Sequence, residues 1–129
     1  MSIVGHGIDI VEIAKFKASL LRNPSNFEIQ CFTALERQIA DEAGVNRLAC
    51  LAGRFAAKEA VLKALGTGWS QGITWTDVEI QRLETGGPKV VLFAKAQEIA
   101  EHLDITTWLI SISHTESYAV ASAIAINSD

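Results

Sequence analysis

Two carboxylic acids stand in unusual sequence contexts. Asp9 lies in the middle of the β-branched run Gly7-Ile8-Asp9-Ile10-Val11, although aspartate is depleted in β-strands and a buried, unpaired carboxylate is costly. Glu59 is the single acid in residues 43–76, a segment that carries four basic residues. A lone acid in a basic field is what a divalent cation shared with phosphates requires. The two residues therefore predict a magnesium site; the structural alternative is an edge-strand Asp9 that faces water or pairs with a lysine.

Basic residues of the same predicted helix extend this site. The i,i+4 spacing places Arg54 with Lys58 on one face and Glu59 with Lys63 on the adjacent one. We expect these side chains to form a two-row patch around one end of an extended anion such as a diphosphate. Asp9 and Glu59 then supply the carboxylates that magnesium takes alongside phosphate oxygens and waters. The alternative is an ordinary Glu59–Lys63 pair, worth about 0.3–0.5 kcal/mol.

His114 is a further candidate. It follows Ser113 in a predicted turn between two strands, where loop side chains commonly reach a ligand. A phosphate contact and a plain surface histidine are both compatible with this position. The Ser-His pair does not predict a serine hydrolase, because nucleophile and base must converge in space and be oriented by a third group. The sequence contains no Walker-type loop and no dinucleotide fingerprint.

Composition narrows the class of protein. The chain has 129 residues, of which 49% are hydrophobic and 20% charged, so we expect one domain over residues 1–129. Its apolar stretches are far shorter than the roughly 20 residues of a membrane span. The net charge of −4 disfavours nucleic acid as a partner. Cys31 and Cys50 show no metal-binding spacing, and the N-terminus shows no signal-like block, so we predict buried thiols in the cytoplasm.

The elements that position these residues follow from periodicity and capping signals. A strand over residues 3–11 carries Gly5 and Gly7, whose spacing predicts close approach of other backbone to one face. Helices follow over residues 12–21, stopping at Asn23-Pro24, and from a capping box at Thr33 toward Gly44. The longest helix covers residues 47–65, with Asn46 as N-cap and Gly66 after its end.

The second half of the chain adds two hairpins and a helix. Alternation and turn residues predict strands over residues 76–83 and 89–93, then a helix over 94–103, then strands over 107–113 and 118–126. The order contains too few alternating βα units for a doubly wound sheet. We therefore predict an α+β fold, a small antiparallel sheet packed against helices.

Four sequence blocks carry a family resemblance. They are Gly7-Ile8-Asp9-Ile10-Val11-Glu12-Ile13, Phe32-Thr33-Ala34-Leu35-Glu36, Gly53-Arg54-Phe55-Ala56-Ala57-Lys58-Glu59-Ala60-Val61 with Lys63-Ala64-Leu65-Gly66-Thr67-Gly68, and Ser111-Ile112-Ser113-His114-Thr115. In this order, over nearly the whole chain, they resemble the holo-acyl-carrier-protein synthases, the short bacterial type of 4′-phosphopantetheinyl transferase. The resemblance implies the fold of that superfamily.

The resemblance also implies a reaction. It is the magnesium-dependent transfer of the 4′-phosphopantetheine arm of coenzyme A to a serine of apo acyl carrier protein, with release of adenosine 3′,5′-bisphosphate, in fatty acid biosynthesis. Asp9 and Glu59 are implied to hold the metal, and Lys63 to neutralise charge on the bridging oxygen. The serine proton goes to Glu59 or to a magnesium-bound water. The implied contacts to coenzyme A are Arg54, Lys58, Lys63, Gly66, Gly68, His114 and Thr115.

Partners are implied in the same way. Lys15, Lys17 and Arg22 resemble the basic helix that docks the acidic carrier protein. The family is homotrimeric, with Asp9 and Glu59 from one subunit and part of the nucleotide contact from its neighbour. Two other functions stay open: a magnesium-dependent phosphohydrolase of nucleotides or coenzyme A that uses water as its nucleophile, and a non-catalytic module that binds coenzyme A or an acidic protein.

Overall fold

The chain runs from one strand through four helices to a hairpin, then through a fifth helix to two final strands. The structure, a computed structural model, describes residues 1–22, 24–68 and 70–128. Its elements are β1 (Ser2–Glu12), α1 (Ile13–Arg22), α2 (Pro24–Cys31), α3 (Ala34–Glu42), α4 (Arg47–Leu65), β2 (Val78–Arg82), β3 (Pro88–Leu92), α5 (Ala94–His102), β4 (Thr107–His114) and β5 (Tyr118–Asn127). Short 3₁₀ turns cover Gly44–Asn46 and Trp75–Asp77.

The strands form two antiparallel sheets. One has the order β1-β5-β4 and the other is the β2-β3 hairpin, so the predicted α+β class is confirmed. Every predicted strand and helix is present, and α2 is an addition. The sequence predicts that a helix stops at Asn23-Pro24, whereas in the structure a further helix begins at Pro24, because proline costs no hydrogen bond at the first helical position. The predicted end of the preceding helix at Asn23 lies outside the described residues.

The three predicted cap residues stand at the predicted helix ends, and two of them, Thr33 and Gly66, also show the expected cap. The capping box at Thr33 is confirmed, with Glu36 N donating to Thr33 Oγ1 at 3.2 Å and Thr33 N donating to Glu36 Oε1 at 2.9 Å. Gly66 ends α4 in the left-handed conformation, at φ 80°. Asn46 precedes α4, but its side chain makes no capping hydrogen bond. Asn46 therefore stands at the predicted N-cap position without acting as a side-chain cap, and a 3₁₀ turn leads directly into α4.

The core lies between α4 and the three-stranded sheet. A Cβ atom added at Gly5 would lie 2.0 Å from the carbonyl oxygen of Ala64, and one at Gly7 would lie 1.9 Å from that of Ala60. The predicted close approach to this face of β1 is therefore confirmed. The neighbouring strand β5 turns a row of buried alanines inward, at positions 119, 121, 123 and 125. Small side chains on both strands let α4 pack closely on the sheet.

Two expectations from composition also meet the structure. Within the described ranges, none of the helices has the length and apolar character needed to cross a bilayer. Both cysteines are free thiols; Cys31 is buried, while Cys50 is half-buried rather than buried as predicted.

Candidate active site

Asp9 lies on the face of β1 that packs against α4. Gly5 and Gly7 lie on the same face, because alternate residues of a strand share a face. Lys63 Nζ donates to Asp9 Oδ1 at 3.1 Å and to the carbonyl oxygen of Ile8 at 2.9 Å. The predicted alternative for Asp9, a lysine partner, is thus present in the structure. Lys63 reaches across to β1, and its side chain stays 53% exposed. This ammonium group remains accessible to a ligand.

Asp9 and Glu59 line one cleft of about 370 Å³ between β1, α1 and α4. The two carboxylates come from residues 50 positions apart in the chain, and the packing of α4 on β1 brings them together. Lys15 lines the same cleft. The structure therefore assembles the predicted pair of acids next to a basic residue of α1.

The donor set of this cleft fits magnesium. Mg²⁺ is usually held by one or two carboxylates, together with substrate phosphates and waters, rather than by a cage of protein ligands. Among residues 1–22, 24–68 and 70–128 the structure shows no cluster of three or more side chains suited to a metal. Asp9 and Glu59 are the residues that would hold the ion.

Lys58 occupies a different environment from the one predicted. Its side chain is fully buried, and Nζ lies 2.7 Å from Glu36 Oε1. Nζ also donates to the carbonyl oxygens of Trp75 at 3.0 Å and Val78 at 2.6 Å. An ammonium group has three donors, and all three are used inside the protein. The structure therefore contradicts the expected surface position of Lys58 as a contact to coenzyme A.

The directions of the side chains around α4 explain why Lys58 does not share a surface with Glu59 and Lys63. Residues five positions apart on a helix, such as Arg54 and Glu59, differ in direction by about 140°. Arg54 and Lys58 both donate to carbonyl oxygens of β2, whereas Lys63 points to β1. The two rows are thus separated by the body of the helix and do not form one patch. Glu36 of α3 supplies the counter-charge that makes the buried position of Lys58 possible.

The Glu36–Lys58 pair connects three elements. Glu36 accepts hydrogen bonds from the backbone of Thr33 and, through Oε2 at 2.7 Å, from Ile80 N. Burial raises the pKa of Glu36, and the Lys58 ammonium opposes that rise. Burial lowers the pKa of Lys58, and the Glu36 carboxylate opposes that fall. The pair holds α3, α4 and β2 together.

Arg54 and His114 lie at a second pocket, of about 340 Å³. Arg54 is 9% exposed and donates from Nε to the carbonyl oxygen of Ile80 at 3.0 Å and from Nη1 to Cys50 Sγ at 3.2 Å. His114 is the last residue of β4 rather than part of a turn. Arg82, which the sequence analysis did not single out, lines this pocket with them. The result is a cationic pocket on the hairpin side of α4.

Thr115 and the two glycines lie near different surfaces. Thr115 is adjacent to His114, and its Oγ1 accepts hydrogen bonds from Ser117 N at 3.2 Å and Tyr118 N at 3.1 Å. Gly66 and Gly68 both have positive φ, and a Cβ at either would meet nothing within 4 Å. Their conformation, and not a close approach of other protein atoms, explains the glycines.

The predicted carrier-docking residues Lys15, Lys17 and Arg22 are all exposed on α1. Sequence reasoning missed the aromatic wall beside them, where Phe16, Phe27 and Phe55 line the same cleft as Asp9 and Glu59. The rings of Phe16 and Phe55 lie 5.3 Å apart between centroids. Phe55 precedes Glu59 by one helical turn, and this spacing in the sequence indicates that an aromatic ring lies beside the carboxylate on the same helix face.

Comparisons with known proteins agree with this architecture. The sequence profile of the 4′-phosphopantetheinyl transferase superfamily matches residues 5–123. A holo-(acyl-carrier-protein) synthase from Koribacter versatilis is 42% identical over 122 residues, 95% of this chain and 97% of that protein.

Solved structures show the same similarity. The holo-(acyl-carrier-protein) synthase of Neisseria meningitidis superposes with a TM-score of 0.87 at 28% identity, covering 97% of this chain and 99% of that one. The Helicobacter pylori synthase in complex with coenzyme A superposes with a TM-score of 0.79 at 27% identity, covering 94% and 99%. The resemblance inferred from the sequence is confirmed, and the chain belongs to the 4′-phosphopantetheinyl transferase superfamily.

Proposed function

We propose that the protein is a holo-acyl-carrier-protein synthase. It transfers the 4′-phosphopantetheine arm of coenzyme A to a serine of apo acyl carrier protein in fatty acid biosynthesis, and it releases adenosine 3′,5′-bisphosphate. The observation that carries this proposal is the cleft that joins Asp9 and Glu59, with Lys63 bonded to Asp9. A fold alone does not define a function, but relatives of this name match nearly the full chain.

The residues of the cleft suit this chemistry. In the reaction the serine oxygen bonds to the phosphorus that carries the pantetheine arm, and the bond from that phosphorus to the bridging oxygen breaks. Asp9 and Glu59 hold the magnesium ion, which when bound neutralises charge on the diphosphate. Lys63 supplies a positive charge for the departing phosphate of the nucleotide. We assign the serine proton to the Glu59 carboxylate.

The carrier protein docks on α1. Lys15 is exposed on α1 and also lines the cleft of Asp9 and Glu59, so a partner held by α1 places a serine near the carboxylates. Lys17 and Arg22 extend the positive charge along the helix. Acyl carrier proteins are acidic, and charge complementarity then mainly increases the rate and orientation of encounter.

The complete site forms between subunits of a homotrimer. Among the residues that the structure describes, the cleft of Asp9 and the pocket of Arg54 and His114 share no lining residue, which supports contributions from two copies to one coenzyme A. The outer face of the β1-β5-β4 sheet leaves Ile8, Ile10 and Leu109 more than half exposed. Exposed apolar side chains on one sheet face are a feature of protein interfaces. Light scattering should give three times the 13.9 kDa mass of the chain.

We place the reaction in the cytoplasm. Cys31 and Cys50 are free thiols, as expected in a reducing compartment.

Intact-mass spectrometry of apo acyl carrier protein tests the proposed activity. Incubation with the protein, coenzyme A and magnesium should add one arm, about 340 Da, and a chelator should abolish the gain. Release of phosphopantetheine from coenzyme A without any carrier would instead identify the phosphohydrolase. Binding of coenzyme A without either product would identify the non-catalytic module.

A further inference from the structure

Arg82 lies at the end of β2, directly opposite Pro88 of β3 in the hairpin register. This position brings its side chain to the pocket that Arg54 and His114 also line. The described lining residues of this pocket include two guanidinium groups and an imidazole, and no carboxylate. The pocket is therefore suited to an anion that binds directly to protein cations.

The chemistry of the pocket selects the kind of phosphate. A diphosphate that binds through magnesium needs carboxylates for the ion, and those residues line the other cleft. A phosphate monoester carries −1.5 to about −2 charges near pH 7 and three acceptor oxygens, which arginine binds well. Coenzyme A contains one such group, the 3′-phosphate of its ribose. The pocket of Arg54, Arg82 and His114 matches this group.

Arg82 has more freedom to reach a ligand than Arg54. Arg54 is nine-tenths buried, and it commits Nε and Nη1 to Ile80 and Cys50. The side chain of Arg82 is 46% exposed, and its Nη2 lies 3.3 Å from Glu42 Oε1 in a pair that is itself open to solvent. Exposed pairs of this kind contribute little stability. A phosphate can therefore replace Glu42 as the partner of Arg82.

We propose that Arg82 determines specificity for the 3′-phosphate of coenzyme A. When this substrate binds, Arg82 gives up its ion pair with Glu42 and binds the 3′-phosphate beside Arg54 and His114. This inference rests on the proposed function, and it adds a residue that discriminates coenzyme A from its 3′-dephospho form. Removing a charged hydrogen-bonding partner typically weakens binding about tenfold. Removal of the Arg82 charge should therefore weaken the binding of coenzyme A and leave the binding of 3′-dephospho-coenzyme A unchanged.

Kinetics with both substrates test the proposal. Arg82→Gln should raise KM for coenzyme A about tenfold. The kcat with coenzyme A and the KM for 3′-dephospho-coenzyme A should both be unchanged. The matched control is Lys89→Gln, because Lys89 is an exposed cation of the same hairpin that does not line the pocket. It should leave both KM values unchanged. Equal rises for the two substrates in Arg82→Gln, or no rise for either, would overturn the proposal.

A second variant should change KM for coenzyme A in the opposite direction. Glu42→Gln removes the competing carboxylate, so it should lower KM for coenzyme A; a rise would contradict the exchange of partners. Calorimetry with coenzyme A and with 3′-dephospho-coenzyme A, which carries no phosphate monoester, provides a readout independent of transfer. Arg82→Gln should weaken binding of the first ligand only. If the wild-type protein transfers no arm, the proposed function fails, while this comparison of ligands still decides the role of Arg82.

Discussion

The ammonium group of Lys63 donates to the carboxylate of Asp9 at 3.1 Å, linking α4 to β1 within reach of the cleft that Glu59 also lines. We expect Asp9→Ala and Glu59→Ala each to reduce transfer at least about 10²-fold because each removes a carboxylate that holds the metal. The fold should persist, since β1 is held by its ladder to β5. Mass spectrometry of the carrier, with circular dichroism of each variant, measures both effects. Wild-type-like transfer by either variant would refute the site.

Lys58 should matter for stability and not for affinity toward coenzyme A. Lys58→Met leaves Glu36 buried without its counter-charge, at a cost of about 3–5 kcal/mol in the free energy of unfolding. Adding Glu36→Gln should recover part of this loss. The control is Lys95→Met, which removes an exposed ion pair with Glu98 and should cost less than about 1 kcal/mol. Urea unfolding gives these values. Unchanged stability with a raised KM for coenzyme A would restore the original interpretation of Lys58.

Charge reversal on α1 should impair the carrier selectively. Lys15→Glu with Lys17→Glu should raise KM for the carrier far more than KM for coenzyme A, because the helix then repels an acidic partner. The difference should shrink as salt is added, since screening acts on exposed charges. The control pair Lys89→Glu with Lys95→Glu changes the net charge equally and lies outside α1. Equal effects on both substrates would remove α1 from the docking site.

Gly7 should tolerate no side chain. A Cβ would lie 1.9 Å from the carbonyl oxygen of Ala60, so Gly7→Ala must separate β1 from α4. We expect a loss of about 3 kcal/mol or more in the free energy of unfolding, with transfer reduced because Asp9 moves with the strand. Gly87→Ala is the control, as a Cβ there meets nothing within 4 Å. Its Tm should match that of the wild type, and a normal Tm for Gly7→Ala would contradict the packing.

Alkaline pH should destabilise the fold through Cys31. Burial raises the pKa of this thiol from 9.0 to about 11. The contribution of Cys31 to the free energy of unfolding is complete below pH 9.0, because the thiol is then protonated in both the folded and the unfolded protein. This contribution is lost as the pH rises toward 11, because the thiol of the unfolded protein ionises first. The loss approaches about 2–3 kcal/mol. In Cys31→Ala, unfolding free energies should fall less steeply between these pH values. An identical slope in both proteins would contradict this assignment.

Local patterns predicted much of the architecture. The capping box at Thr33 and the left-handed Gly66 depend on neighbouring residues and backbone conformation, so the sequence alone carries them. The spacing of Gly5 and Gly7 predicted a close approach, but the atoms that approach them belong to the distant helix α4. Pro24 shows the limit of such signals. The same residue ends one helix or begins another, and only the surrounding chain selects between these roles.

The sequence by itself determined which residue types are available, and it identified Asp9 and Glu59 by their unusual contexts. Only the tertiary structure decided which charges share a surface. Lys58 and Glu59 are adjacent in the chain, yet Lys58 is buried against Glu36 while Glu59 lines the cleft with Asp9. Arg82 joins Arg54 because the hairpin packs against α4. The physical reason is that burial and counter-charges come from residues distant in sequence, whereas capping and glycine conformations are local.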